Sequence, residues 1–271
     1  MRVSQLSGFL DGYGGLRGLT PRDSLYLYLS YAEGLLNYLF NRRNFITIGQ
    51  FLRRDVVVID RRGIKYYVRA RSDVLVHVAA TAKPFTRRWF SPRGGEVVID
   101  AGANIGRFTL HAASLGARVI SIEPNPVAYW ILRKNLELNR FTNVEALNVG
   151  LGDSEGEMEL HVPRGFYGIA SFLARWDTRF EAEPVKVRVV PLDSLTKDLG
   201  SIDWLLVDVE GFEDRVLAGA AESLARTRRI IIEVSHGNRD RVLGLLRSSG
   251  FRAVEAGDVE EKAQYFYLER G

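Results

Sequence analysis

Asp100, Glu123, Asp208, Glu210, Glu233 and His236 are the side chains in this sequence whose type and position suit proton transfer or the grip of a polar ligand. Each stands at or near the end of a short apolar run. Asp100 follows Val97 to Ile99, Glu123 follows Val119 to Ile122, Asp208 follows Trp204 to Val207, and Glu233 and His236 fall at the end of Ile230 to Val234. An acid that closes the second strand of a strand–helix–strand unit can accept both hydroxyls of a ribose, and Glu123 has that place. Candidates for taking a proton from a bound ligand are Asp208, Glu210, Glu233 and His236. A carboxylate with its ordinary pKa near ~4 is a weak base unless burial raises it. Asp208 and Glu233 rank first, because ligands of parallel sheets bind at the carboxyl ends of strands. Glu210 shares a side with Asp208 only if the strand continues. A lone loop histidine such as His236 more often serves structure than chemistry.

Between Asp100 and Glu123 the chain reads Asp100-Ala-Gly102-Ala-Asn104-Ile-Gly106, then an apolar-periodic segment to Leu115. Glycines permit left-handed backbone and close approach of a ligand, and the helix that follows leaves N–H groups free at its start. A nicotinamide loop would carry glycine where Asp100 stands. That carboxylate would repel a pyrophosphate and attract the ammonium and sulfonium of S-adenosylmethionine. The loop therefore favours S-adenosylmethionine over a dinucleotide or a plain structural turn. Asn125, between Pro124 and Pro126, can cap the next helix and touch the adenosine. Asn148 to Asp153 supplies small units, Gly150 among them, where an adenine could slide in beside Asp153. There is no cysteine, and the four histidines lack metal-ligand spacing, so no metal site is expected.

These residues need a scaffold, and the pattern supplies one. From Glu96 onward strands and helices alternate, which implies a parallel sheet covered on both faces. The strands read Val97 to Asp100, Val119 to Glu123, Val144 to Val149, Trp204 to Asp208 and Ile230 to Val234. A final pair, Phe251 to Glu255 and Gln264 to Leu268, has no helix between its members and should run antiparallel. The helices read Ile105 to Leu115, Pro126 to Asn139, Glu213 to Arg226 and Arg239 to Ser249. Two further β-rich runs, Gly156 to Val162 and Val185 to Pro191, flank an excursion carrying Phe166, Tyr167, Phe172 and Trp176, and long loops in compact domains are often functional. Glu213 is expected in the first turn of its helix, facing the dipole.

Upstream, residues 1 to about 20 are glycine-rich and read as a loose arm. An aromatic-rich helix follows over Ser24 to Phe40, its apolar face made by Leu25, Leu29, Ala32, Leu36 and Phe40. It packs on its own domain or serves as a dimer contact, a lid or a peripheral membrane contact. It is too interrupted to span a membrane. Asp55 to Asp60 and Ile64 to Arg69 form a hairpin, with a short helix near Asp73 to Ala80. The chain thus divides into an extension over 1–54, a hairpin and short helix over 55–95, and an S-adenosylmethionine-binding domain over 96–271.

The 271 residues include 37 basic and 33 acidic side chains, for a net charge of +4. That mild excess permits a nucleic-acid groove without indicating one. No signal peptide is evident, so a cytoplasmic address is expected.

VVIDAGANIGRFTL, SIEPNP, NVGLGDSEG, PLDSL, and DWLLVDVEGFEDRVLAGA followed by IIIEV together make the chain, from about Asp55 onward, resemble the FkbM-type class I methyltransferases. The resemblance implies a Rossmann-like seven-stranded sheet with one antiparallel strand and methyl transfer from S-adenosylmethionine, usually to a hydroxyl oxygen. The partner it implies is a small-molecule hydroxyl acceptor. Matching positions would make Asp100, Gly102, Asn104, Gly106, Glu123 and Asn125 the cofactor site, with Asp208 beside the methyl group. The chain departs from the family pattern at Leu206, where lysine is common, and at Ser235, where histidine is. The excursion from Phe166 to Trp176 and the N-terminal helix are the expected acceptor walls. The rival readings are an RNA methyltransferase and a non-catalytic S-adenosylmethionine-binding protein.

Overall fold

The structure is a computed structural model that describes residues 14–41, 48–79, 88–173, 181–259 and 262–271. Residues 1–13 of the expected arm, Ala80 and Trp176 lie outside them, as does the side chain of Phe40.

The N-terminal part is built around a small antiparallel sheet. Strand β1 (Arg17–Gly18) pairs with β2 (Val56–Ile59), and β2 pairs with β3 (Lys65–Val68), so the hairpin expected at 55–69 is present. The arm is not loose over its last residues. Leu16 is buried and Arg17 lies opposite Ile59.

Helix α1 (Pro21–Asn41) starts with a reciprocal cap, in which Asp23 accepts from Thr20 N–H and Thr20 Oγ1 accepts from Asp23 N–H. The face it buries is Leu27, Ser30 and Gly34. The expected apolar stripe turns outward instead, with Leu25 57%, Leu29 47% and Leu36 53% exposed. Gly18 lies so close to Ser24 N that a side chain there could not fit, which sets the first turn of the helix against β1. Helix α2 (Ile48–Phe51) and helix α3 (Val74–Ala79) complete this part. Among the described residues no helix is long and apolar enough to cross a membrane.

The remainder alternates as the sequence pattern requires. β4 (Val97–Ala101), α4 (Arg107–Ser114), β5 (Arg118–Ile122), α5 (Pro126–Asn139) and β6 (Val144–Leu147) come first. A side sheet follows, from β7 (Gly150–Leu151), β8 (Gly156–Pro163) and β9 (Ala182–Val190), in the order β7-β9-β8. Then come α6 (Leu192–Thr196), β10 (Ile202–Val207), α7 (Glu213–Ala218), α8 (Ala221–Arg226), β11 (Thr227–Ser235), α9 (Arg239–Ser248), β12 (Phe251–Val259) and β13 (Ala263–Arg270). The main sheet has the order β12-β13-β11-β10-β4-β5-β6, with β13 antiparallel to both its neighbours and the other pairings parallel. Every residue of β10 is buried, as expected of a strand covered on both faces. The chain turns from β4 to β5 on one side and returns to β10 on the other, which opens a crevice beyond the carboxyl ends of β4 and β10.

One helix differs from expectation. The segment Glu213 to Arg226 is two helices, broken at Gly219 and Ala220, and a Cβ on Gly219 would fall 2.0 Å from the carbonyl oxygen of Gly152, so only glycine fits at the break. Asp193, within PLDSL, caps the second of them from outside, accepting the N–H groups of Glu222 (3.0 Å) and Ser223 (2.7 Å).

Candidate active site

A cleft of about 290 Å³ opens at that crevice, lined on one side by Gly102, Asn104, Glu123, Asp208, Glu210 and Glu233. The glycine loop forms its floor. Gly102 has φ +83, and a Cβ there would sit 1.8 Å from the carbonyl oxygen of Asp208, so only glycine lets β4's loop lie against the end of β10. Gly106, with φ +94, caps α4 and has no side chain to satisfy its first N–H groups. Asp100 does so in its place. Its Oδ2 accepts Thr109 N–H at 2.9 Å and Thr109 Oγ1–H at 2.6 Å. Burial, chiefly, pushes this carboxyl up to about 6. Asp100 is thus folded under the loop and does not line the cleft, although the sequence pointed it at a cationic ligand.

Glu123 does line the cleft. Its Oε2 accepts Asn104 N–H at 2.7 Å and its Oε1 accepts Asn125 N–H at 2.8 Å. Burial, opposed by these two donors, raises it to about 7. Asn104 adopts φ +49, in the left-handed region, and its Oδ1 is buried without a hydrogen-bond partner. Asn125 caps α5 through Val127 N–H (3.0 Å) and donates to the carbonyl of Tyr167 (3.2 Å). It is fully buried behind the cleft. Gly150 packs under the ring of Phe172, Leu151 takes the cleft wall, and Asp153 lies outward, in an ion pair with Arg215.

At the strand ends the carboxylates of Asp208, Glu210 and Glu233 lie within 4.8 Å of one another. Sequence spacing alone left Asp208 and Glu210 free to part. The fold unites them because Glu210 takes φ +49, one of few non-glycine residues to do so, and such backbone concentrates at functional sites. Tyr265 of the reversed strand completes the group, donating its hydroxyl to Asp208 Oδ2 at 2.7 Å. Glu213 starts α7 as expected but is buried and locks the loop below. Its Oε1 accepts Gly211 N–H (2.9 Å), and its Oε2 accepts from Ser235 Oγ (3.0 Å) and Asn238 Nδ2 (2.9 Å). Ser235 therefore has a structural partner where the family pattern has histidine. Leu206 is in the core. His236 lines a separate hollow with Arg215 and Lys262, apart from the cleft.

The second wall of the cleft comes from outside the strand ends. Val76 and His77 of α3 face it together with Tyr167, Gly168, Ala170 and Ser171 of the excursion. Asp73 joins the two elements. Its Oδ2 accepts Gly168 N–H at 2.9 Å and pairs with His77 Nε2 at 3.0 Å, and its own N–H donates to Gly165 O at 2.9 Å. Ser171 Oγ donates to the carbonyl of Glu210 at 2.7 Å. Asp73, His77 and Tyr265 were not singled out from the sequence. The four-residue spacing of Asp73 and His77 is the one local signal available, and it is an ordinary one.

A seven-stranded sheet of this order, with a glycine loop after its first strand and an acid closing its second, defines a class I methyltransferase. The chain belongs to the FkbM methyltransferase family: the Methyltransferase FkbM domain matches residues 100–253. It is 30% identical over 188 residues to methyltransferase sdnD of Sordaria araneosa, a match covering 57% of this chain and 73% of that protein. It is also 30% identical over 213 residues to the 31-O-demethyl-FK506 methyltransferase FkbM of Streptomyces tacrolimicus, covering 66% of this chain and 81% of that one. To the 2-O-methyltransferase NoeI of Sinorhizobium fredii it is 29% identical over 160 residues, covering 51% and 63%.

Proposed function

We propose that this methyltransferase uses S-adenosylmethionine and methylates a hydroxyl oxygen of a small molecule, a sugar or a lipid. The observation that carries the reading is Glu123. Two backbone N–H groups fix its carboxylate in the cleft at the end of β5, and each oxygen keeps a further lone pair for a ribose diol. The other donors and acceptors present fit the same ligand. Asn104 Oδ1, buried and unpartnered, offers an acceptor to an ammonium or hydroxyl. Gly102 and Gly106 keep the loop low, while Asp208, Glu210 and Glu233 supply the negative potential that a cation favours. When bound, the cofactor supplies an electrophilic methyl carbon on a sulfonium sulfur. Asp100, Asn125 and Gly150 hold the loop, helix and wall in position without lining the cleft themselves.

Oxygen as the acceptor atom is supported by the activities of the FkbM and NoeI relatives. In this reading residues 96–271 bind the cofactor, and the hairpin and short helix over 55–95, with the 1–54 extension, build the acceptor's side. The chain's contribution to rate is mainly alignment of acceptor and methyl group. Incubation with methyl-labelled S-adenosylmethionine and fractionated metabolites should place label on a hydroxyl of a compound in one fraction. Label recovered only in added RNA, or in no product at all, defeats the proposal.

A further inference from the structure

We propose that His77, held by Asp73, is the general base that takes the proton from the acceptor hydroxyl. The inference rests on the reading above and adds a residue outside the matched family domain, which begins at residue 100. Methyl transfer to a hydroxyl needs a proton acceptor on the side from which the acceptor enters. The floor of the cleft is taken up by the glycine loop and the strand-end carboxylates, the groups that would hold a cationic cofactor in the proposed reading. The second wall then faces the acceptor. On it Val76, Gly168 and Ala170 have no basic atom and Tyr167 and Ser171 carry hydroxyls, so His77 is the one side chain there with a basic nitrogen.

Its geometry is that of a working base. Asp73 is buried, and its Oδ2 lies 3.0 Å from His77 Nε2; a carboxylate can only accept, so the neutral imidazole in this contact carries its proton on Nε2 and its lone pair on Nδ1. Nδ1 has no protein partner among the described residues. Gly168 packs against that same Nε2 edge of the ring. A Cβ on Gly168 would fall 2.0 Å from His77 Nε2 and 3.0 Å from Asn104 Nδ2, so imidazole, excursion and glycine loop meet at one point. As the hydroxyl oxygen bonds to the methyl carbon, the carbon–sulfur bond breaks with its pair going to sulfur. The hydroxyl proton passes to Nδ1, leaving a neutral ether, a neutral thioether and an imidazolium beside the Asp73 carboxylate. This is the base-and-orienter arrangement known from hydrolytic triads.

The test uses the full chain with methyl-labelled S-adenosylmethionine and the hydroxyl-bearing fraction labelled by the wild type, and reads S-adenosylhomocysteine affinity by calorimetry in parallel. His77→Ala and His77→Asn are expected to lower turnover on the order of 10²-fold or more while changing S-adenosylhomocysteine affinity less than about twofold. The turnover deficit should shrink as pH rises and the acceptor ionises unaided. Asp73→Asn keeps the side-chain shape. In nitrogen-15 histidine spectra it should move the His77 proton between ring nitrogens, a signature a merely structural role would not give. Wild-type turnover in both His77 variants overturns the proposal, as does a turnover loss that only mirrors lost S-adenosylhomocysteine affinity. A wild type that transfers no label defeats the functional reading itself, and one that binds and transfers leaves the His77 variants to decide this one.

Discussion

Tyr265, on the one reversed strand of the main sheet, reaches across β11 and donates its hydroxyl to Asp208 Oδ2 at the end of β10, 2.7 Å away. Tyr265 sits opposite Glu233 in the β11–β13 register. Burial, followed by the charges of Asp208 and Glu233, holds its phenol well above the ordinary tyrosine range. It therefore remains a donor at any working pH. Tyr265→Phe keeps the ring and removes that donor, leaving an acceptor in a partly buried site at a cost of about 1–3 kcal/mol. Turnover is expected to fall roughly tenfold with S-adenosylhomocysteine affinity nearly unchanged, the split that marks loss of an interaction used in the reaction rather than in binding. Equal turnover in the variant would remove Asp208 positioning from the account.

The titration of Glu123 gives stability and cofactor affinity opposite pH slopes. Burial raises this carboxyl to about 7 against an ordinary 4.5, with the two backbone donors pulling the other way. A group that holds its proton more tightly when folded stabilises the fold below its unfolded value, and that contribution is lost as pH rises from about 4.5 to about 7. A ribose diol needs the ionised form, so S-adenosylmethionine affinity should rise over the same interval. Glu123→Gln removes the titration and sets an amide NH₂ against one of the two N–H donors. Calorimetry and thermal melts across about pH 5 to 8 should show both slopes flattened in the variant and cofactor affinity lost. A wild-type affinity independent of pH would contradict the diol assignment.

Much of this arrangement was legible in the sequence because the signals are local. The β-branched runs, the glycines at 102 and 106 and the Pro126 start of α5 set element boundaries that the structure keeps closely, and Glu123 could be placed from its strand end alone. The parts that escaped depend on contacts between distant segments. Asp100 looked like a ligand for a cation, but Gly106 has no side chain to cap its helix and Asp100 accepts the Thr109 N–H in its place. Leu25, Leu29 and Leu36 turn outward because the helix packs through Leu27 and Ser30 instead, a choice of face made by the rest of the fold. Tyr265 reaches Asp208 across 57 positions of sequence, and no periodicity reports such a pairing.

Asp153 separates the sequence reading from the structural one. The turn after β7 suggested an adenine contact, yet its carboxylate is outside the cleft and pairs with Arg215. The pairing, through the Arg215 hydrogen bond first, holds the acid below its usual range. Exposed pairs of this kind contribute little. Asp153→Asn should leave both the melting temperature and S-adenosylhomocysteine affinity at wild-type values. A clear loss of affinity would return Asp153 to the adenine site and require the loop to move on binding.

Gly102 tests whether the loop's fit against β10 holds the cofactor floor. Two costs attach to Gly102→Ala, and a control separates them. The first is backbone strain: φ +83 costs an L-residue about 1–2 kcal/mol. The second is the collision of the new Cβ with the carbonyl of Asp208 at 1.8 Å, which backbone on both sides cannot relieve without moving the loop or the end of β10. Gly95 has the same φ of +83 with nothing within 4 Å of its would-be Cβ. Gly95→Ala should therefore carry the strain alone, lowering the melting temperature by about 2–8 °C with S-adenosylhomocysteine affinity intact. Gly102→Ala should cost more than that in melting temperature and reduce affinity by at least about tenfold, or 1.4 kcal/mol, because Asn104 and Glu123 move with the loop. If the two variants behave alike in binding, the close approach of Gly102 to Asp208 has no part in forming the site.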